Sequence, residues 1–290
     1  MDSFDYLAPR SLNEAFSALG NGKTSLLLAG GTDVIVQLRE GRRHCDQLID
    51  LKHIPELMSY KANADGSLEI GAAVPLAELY ENTDIQRRFP ALVDCATIIG
   101  GIAIQSRATL GGNLSNASPA ADSSPALMAL NARLVIASSA GSREIAVEDY
   151  FAGPGRNTLQ PGELLLQVKI PAPAPNSGAF YHRFIPRNEM DIAVASSGVA
   201  ITLDADENIT AARVALGAVA ATPVLVPAAA AALIGKPANA ETFAAAGEAA
   251  AAAATPIDDM RGGIAQRKHL AKILTIRSLD NALNRIRENR

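Results

Sequence analysis

The chain has 290 residues, 48% of them hydrophobic and 19% charged, with a formal net charge of −4. That length suggests two or three domains with ample core, and the mild acidity excludes the broad basic footprint of a nucleic-acid binder. No run of about 18 apolar residues offers a membrane span, and the opening MDSFDYLAPR lacks the basic and apolar regions of a secretion signal, so a cytoplasmic protein is expected.

Ser11 is placed to cap a helix running to Leu19, with Leu12, Ala15, Phe16 and Leu19 on one face. Thr24 to Leu28 reads as a short buried strand, Val34 to Arg39 as a short helix ending at Gly41, and Gln47 to Leu51 as a second strand. Residues 1 to about 55 therefore read as a small α/β unit. Leu57 to Lys61 and Ser67 to Ile70 fit strands around the Asp65-Gly66 turn. Helices are expected from Pro75-Leu76 to Tyr80 and from Pro90 to Ile99. Arg133 to Ser138, Arg143 to Val147 and Leu164 to Ile170 read as strands.

The segment from Pro171 to Gly178 is proline-rich and without periodicity, and the main boundary is placed there. Domains are thus expected over 1–175, in subdomains of about 1–55 and 56–175, and over 177–290. Beyond the boundary, Ala179 to Phe184, Ile192 to Leu203 and Ile209 to Leu216 read as strands of one antiparallel sheet, with DADEN (204–208) as a turn. The alanine-dense stretches 228–233 and 240–254 read as surface helices, and Leu270 to Ile286 as a closing amphipathic helix.

Two short motifs are set aside. Gly20-Asn21-Gly22-Lys23-Thr24 ends like a phosphate-binding P-loop, but Ser17 stands where the first glycine is required, and helix precedes strand. No G-x-G-x-x-G fingerprint occurs; Gly153-Pro154-Gly155 comes nearest and does not fit. The two cysteines, Cys45 and Cys95, are too few for an iron–sulfur cluster, and the four histidines show no zinc spacing. Glu189 and Asp191 have the spacing of paired carboxylates but no accompanying nucleophile, and read as a polar turn. No catalytic residue and no metal ligand is expected.

The informative stretch is Ala29-Gly30-Gly31-Thr32-Asp33. A strand runs into two glycines, and Thr32 or Asp33 can cap the helix that follows. Backbone amides bared in this way suit an anion such as a diphosphate. A second bare turn, Thr109-Leu110-Gly111-Gly112-Asn113, opens a long polar stretch that reads as a loop containing Ser115, Asn116, Ser118, Asp122, Ser123 and Ser124. Such groups match the hydroxyls and ring heteroatoms of a large phosphate-bearing cofactor.

AGGTD, then TLGGN, then SPAAD, with YHRFIPRNEMDIA (181–193) and the tail from DMRGG (259–263) to RKHL (267–270), resemble in that order the FAD-binding medium subunit of the molybdenum hydroxylases. This is the xanthine dehydrogenase and carbon monoxide dehydrogenase family, and the likeness covers essentially the whole chain. It implies an α+β fold: a p-cresol methylhydroxylase-type, two-subdomain FAD-binding domain followed by an α+β C-terminal domain of antiparallel sheet with helices. It implies that FAD is held by Leu27, Leu28, Ala29, Gly30, Gly31, Thr32, Asp33 and Val34 of the first turn. Ala108, Thr109, Gly112, Asn113, Ser115 and Asn116 of the second would join them. Both turns would present backbone N–H groups. Asp122 is implied at ribose or ribityl hydroxyls and Leu165 along the flavin. Arg183 stands where relatives often carry a lysine, and Ile99 where some place an aromatic ring. The resemblance further implies a small partner with two [2Fe–2S] clusters and a large molybdopterin partner, in a dimer of heterotrimers. Electrons would pass from the clusters through FAD to an external acceptor. A self-contained FAD oxidoreductase of the same fold is the alternative, and a cofactor-free scaffold for partner subunits a second.

Overall fold

The computed structural model describes residues 2–289. The first unit is a three-stranded parallel sheet in the order Asp5–Leu7, Gln47–Asp50, Ser25–Leu28, flanked by helices Leu12–Leu19 and Val34–Arg39. Ser11 caps the first helix, its hydroxyl accepting from the Glu14 amide. The Gly20 amide closes that helix on the Phe16 carbonyl, so the glycines at 20 and 22 form a helix-terminating turn and not a phosphate loop. Buried Gln47 ties the unit together, donating to Ala18 O (2.7 Å) and Ser25 Oγ (2.6 Å).

The second unit is a five-stranded antiparallel sheet in the order Tyr60–Ala62, Leu68–Gly71, Leu164–Ile170, Arg133–Ser138, Gly141–Ala146. Its core continues under helices Leu76–Glu81, Thr83–Arg88, Pro90–Ala96, Leu110–Asn116 and Ser123–Ala129, with Leu68, Ile70, Leu92, Leu110, Leu114 and Leu127 all fully buried or nearly so. The last unit is a four-stranded antiparallel sheet, Ser177–Phe184, Ala195–Leu203, Ile209–Gly217 and Val224–Leu225. It is backed by helices Pro227–Leu233, Ala240–Ala253 and Ile264–Glu288. Asp204 shapes the expected 204–208 turn, its carboxylate accepting from the amides of Asp206 and Asn208. The chain is thus α+β, with a parallel sheet confined to its first unit.

The structure departs from the sequence reading in places with identifiable causes. Leu57 lies in a helical turn, Pro55–Met58, because Pro55 is preset for a first helical position, and the strand begins only at Tyr60. The helix opened by Pro90 ends at Ala96 rather than Ile99, just ahead of the Gly100-Gly101 pair. The second strand of the C-terminal sheet starts at Ala195 rather than Ile192, so 192–194 precede it as a connection. Most consequential, the polar stretch after Thr109 is not a loop. It forms the Leu110–Asn116 and Ser123–Ala129 helices. Thr109 caps the first, its Oγ1 accepting from the Gly112 amide at 2.9 Å, and Gly111 seats the helix directly on Ala72, where a Cβ would lie 2.5 Å from the Ala72 Cβ. Tertiary contact overrides the low helix propensity of the glycine pair.

The C-terminal unit is fastened to the second unit. Asp94 accepts two bonds of 2.7 Å from Arg285 and one of 3.1 Å from the Tyr181 amide. Arg213 donates to Met128 O (2.7 Å) and Glu148 (2.9 Å). Gly198 lets its strand lie against Pro125, whose carbonyl carbon would be 2.6 Å from an added Cβ.

Candidate functional site

A cavity of about 630 Å³ lies where the three units meet. One wall is the first glycine turn. Gly31 takes a left-handed φ of +81°, which glycine adopts without strain. Gly30 serves a different purpose from the one its sequence suggests. A Cβ there would sit 2.7 Å from the Arg107 carbonyl carbon and 3.0 Å from Ala108 Cα, and closer still to Arg107 O. Its bare backbone lets the two glycine turns touch. The amides of Gly30, Gly31, Thr32 and Asp33 find no protein acceptor among the described residues, and Asp33 makes no side-chain cap. Thr32 likewise caps nothing. Lys52 braces the turn from behind, donating to Ala29 O (3.1 Å) and Asp50 (2.6 Å).

The second turn is built oppositely. Its amides are committed: Ala108 to Ile104 O (2.7 Å), Gly111 to Ala72 O (3.1 Å), Gly112 to Thr109 Oγ1, and Asn113 to Thr109 O (3.0 Å). What it offers the cavity is close approach at Gly112 and a row of side chains, Asn113, Ser115 and Asn116, on the following helix. These are held in place. Ser123 donates to Asn113 Oδ1 (2.6 Å), Ser115 Oγ pairs with Tyr150 OH (2.9 Å), and Asn157 donates to Ser115 O (2.9 Å). Gln37 reaches across from the first unit to Asn116 Oδ1 (3.0 Å).

At the side of the C-terminal sheet, Asp122 is buried and receives Tyr181 Oη on Oδ1 (2.6 Å) and Arg183 Nη1 on Oδ2 (2.7 Å). Burial pushes the Asp122 carboxyl up to about 6, while Arg183 and the hydrogen bonds pull the other way. Ile99, Ile104, Leu51 and Leu165 supply apolar wall. A register shift follows Leu165 on its strand. At the rim, Met190 (φ +52°), Asp191 and Ile192 complete the lining. Asp191 accepts from the Ile192 amide (2.8 Å) and from Arg187 (3.4 Å), which hold its carboxyl below the usual range, and Glu189 is exposed. The pair belongs to a turn. Among the described residues, no group of three or more His, Cys, Asp or Glu could hold a metal ion, and no helix is long and apolar enough to cross a membrane.

The eighteen positions named from the sequence therefore lie around one cavity, with the exception of Leu28. Strand alternation turns Leu28 away from Leu27 and Ala29 and into a small separate core with Leu38 and Leu48. Sequence reasoning missed Gln37, Arg42, Arg43, Asn157, Met190 and Ile192, which also line it. Gln37 was findable: it follows Asp33 by four residues, one helical turn. The others arrive by tertiary placement alone.

Comparison with known proteins agrees with this architecture. Residues 2–173 match the family model described as the FAD binding domain in molybdopterin dehydrogenase, and residues 180–282 match the CO dehydrogenase flavoprotein C-terminal domain. The chain is 31% identical over 283 residues to a putative xanthine dehydrogenase FAD-binding subunit of Escherichia coli (strain K12), covering 97% of each. It superposes on a chain of carbon monoxide dehydrogenase from Hydrogenophaga pseudoflava with a TM-score of 0.93 at 30% identity, covering 98% of both. A chain of quinoline 2-oxidoreductase from Pseudomonas putida 86 gives 0.91 at 29% identity, again over 98% of both.

Proposed function

Because this chain belongs to the FAD-binding medium subunits of the molybdenum hydroxylases, we propose that it is the relay of an oxidoreductase complex, passing electrons from a [2Fe–2S] partner to an external acceptor. Bound FAD would supply the redox chemistry, taking up two electrons and releasing them. The chain supplies position and charge. The observation that carries this reading is the division of labour around the cavity: unspent amides on one glycine turn and fixed side-chain donors and acceptors on the other.

The unspent amides of Gly30 to Asp33 are what a diphosphate needs, since its oxygens can accept from successive fixed N–H groups. Asn113, Ser115 and Asn116 offer both donors and acceptors for hydroxyls. Ile99, Ile104 and Leu165 form a wall suited to a flat ring system, and the volume falls in the range of about 300–1,000 Å³ typical of cofactor pockets. The donor set therefore fits FAD. Two cysteines, one of them buried, are too few to hold a cluster in this chain, which supports electrons arriving from clusters carried by a partner. A small iron–sulfur subunit and a large molybdopterin subunit, in a cytoplasmic dimer of three-chain units, complete the reading.

Purification from the native host tests it. The chain is expected to co-elute with a two-cluster protein and a molybdopterin protein, at one FAD per copy, with the clusters reduced before the flavin in rapid-mixing experiments. A chain that elutes alone and whose flavin is bleached directly by an organic substrate would establish the self-contained oxidoreductase instead.

A further inference from the structure

We propose that Asp122 serves the cofactor through Arg183, as a positioning residue, and that the Arg183 guanidinium is the group that favours the reduced cofactor. This rests on the reading that the cavity holds FAD, and it assigns to two residues a role that cofactor contact alone does not define.

Arg183 enters the cavity from the C-terminal sheet, its side chain only 7% exposed. Of its donors, Nη1 alone has a protein partner; Nε and Nη2 donate to no protein acceptor among the described residues. These N–H groups are not sealed within the protein but open into the cavity, where whatever fills it can supply their acceptor. Asp122 is in the reverse position. Each of its oxygens already holds a short bond, to Tyr181 and to Arg183, and its side chain is 9% exposed. Tyr181 and Arg183 stand two apart on one strand and so face the same side, where they grip the carboxylate as a pair. That strand is itself pinned, since the Tyr181 amide donates to Asp94. Asp122 thus fixes one edge of the guanidinium fork and leaves the other edge turned to the cavity, an arrangement a lysine ammonium could not reproduce.

Bound FAD would take up two electrons from the proposed iron–sulfur partner and one proton from solvent, a change that adds one negative charge to the ring. The Arg183 guanidinium, facing the cavity, would stabilise such a charge at low local dielectric and so bind the reduced cofactor more tightly than the oxidised one.

The test is a double-mutant cycle on the full chain, with Arg183→Gln, Asp122→Asn and the double variant, reading the flavin midpoint potential and the Kd for oxidised FAD. Arg183→Gln is expected to weaken binding of reduced FAD at least tenfold more than oxidised FAD, which lowers a two-electron potential by about 30 mV. Asp122→Asn removes an anion as well as a support; it is expected to weaken oxidised FAD in the wild-type background and to leave that Kd unchanged in the Arg183→Gln background. If the glutamine variant does not fold, the same cycle on Arg183→Met, which also removes the charge, replaces it, with non-additivity again expected. An unchanged potential in the Arg183 variants, or losses at the two sites that simply add, overturns the assignment while leaving FAD binding intact. A wild-type chain that binds no FAD at all overturns the functional reading on which it rests.

Discussion

Gly30 and Gly112 have the same residue type in look-alike turns, and the structure predicts opposite consequences for replacing them with alanine. At Gly30 the new methyl meets backbone: Arg107 C at 2.7 Å and Ala108 Cα at 3.0 Å, with Arg107 O nearer. Backbone cannot swing aside as a side chain can, so the two turns must separate. Overpacking of this kind costs about 1–3 kcal/mol, and an unyielding neighbour places Gly30→Ala toward the upper end. In a domain of this size that is about 2–4 °C of melting temperature per kcal/mol. At Gly112 the methyl meets only Thr109 Oγ1, at 3.0 Å, and otherwise projects into the cavity. Relieving a helix-interior glycine returns about 0.5–1 kcal/mol, which offsets that one tight contact. Gly112→Ala should therefore melt with wild type yet bind FAD roughly tenfold more weakly, a loss of about 1.4 kcal/mol. Urea titration of the cofactor-free chain by circular dichroism reads the first effect, and flavin fluorescence titration the second. A Gly30→Ala chain as stable as wild type, or a Gly112→Ala chain with unaltered FAD affinity, would refute the distinction between the two turns.

Four further outcomes are expected. Asp94→Ala strips three hydrogen bonds from the join between units, each to a charged acceptor, and should cost about 1.5–3 kcal/mol in urea denaturation. Arg267→Ala leaves the carbonyls of Val194 and Ala218 without their buried donor, at about 1–3 kcal/mol each; equal unfolding midpoints for variant and wild type would count against that account. Asp122 in the cofactor-free chain should titrate near pH 6, visible by infrared difference spectroscopy as a carboxyl signal absent from Asp122→Asn. Its folded-state value lies above the unfolded 3.8, so between the two the folded chain holds the extra proton, and this group's contribution to stability declines as pH rises through that window. Purified chain should contain no stoichiometric iron by metal analysis, as the cysteine count requires.

Local chemistry made much of this fold readable. The Ser11 cap, the Asp204 turn and the apolar spacing of the last helix are signals carried within a few residues, and the observed Leu12–Leu19 and Ile264–Glu288 helices and the 204–208 turn follow from them. Strand Asp5–Leu7 was not readable, because three residues hold no periodicity and only pairing with Gln47–Ile49 makes it a strand. The stretch after Thr109 misled for a related reason: its polar groups suggest solvent, but they face a cavity, and the helix they ride on is stabilised by Gly111 packing on Ala72. Around the cavity, the bare glycines were visible while their division of labour was not. Whether a glycine clears space for a ligand or for another stretch of chain depends on what stands opposite, and for Gly30 that is Arg107, a residue 77 positions further along by the numbering.

The linker between 173 and 180, where one family match stops and the next starts, divides the chain as an inherited object but not as a working one. Arg183 lies past that seam and Asp122 before it, yet their charges meet at 2.7 Å. A fragment cut at Pro171 would keep both glycine corners and forfeit the only guanidinium paired with Asp122 among the described residues, so on the proposed reading neither half carries the whole site. Any natural splitting or shuffling of these two segments would have to rebuild that ion pair across a new junction.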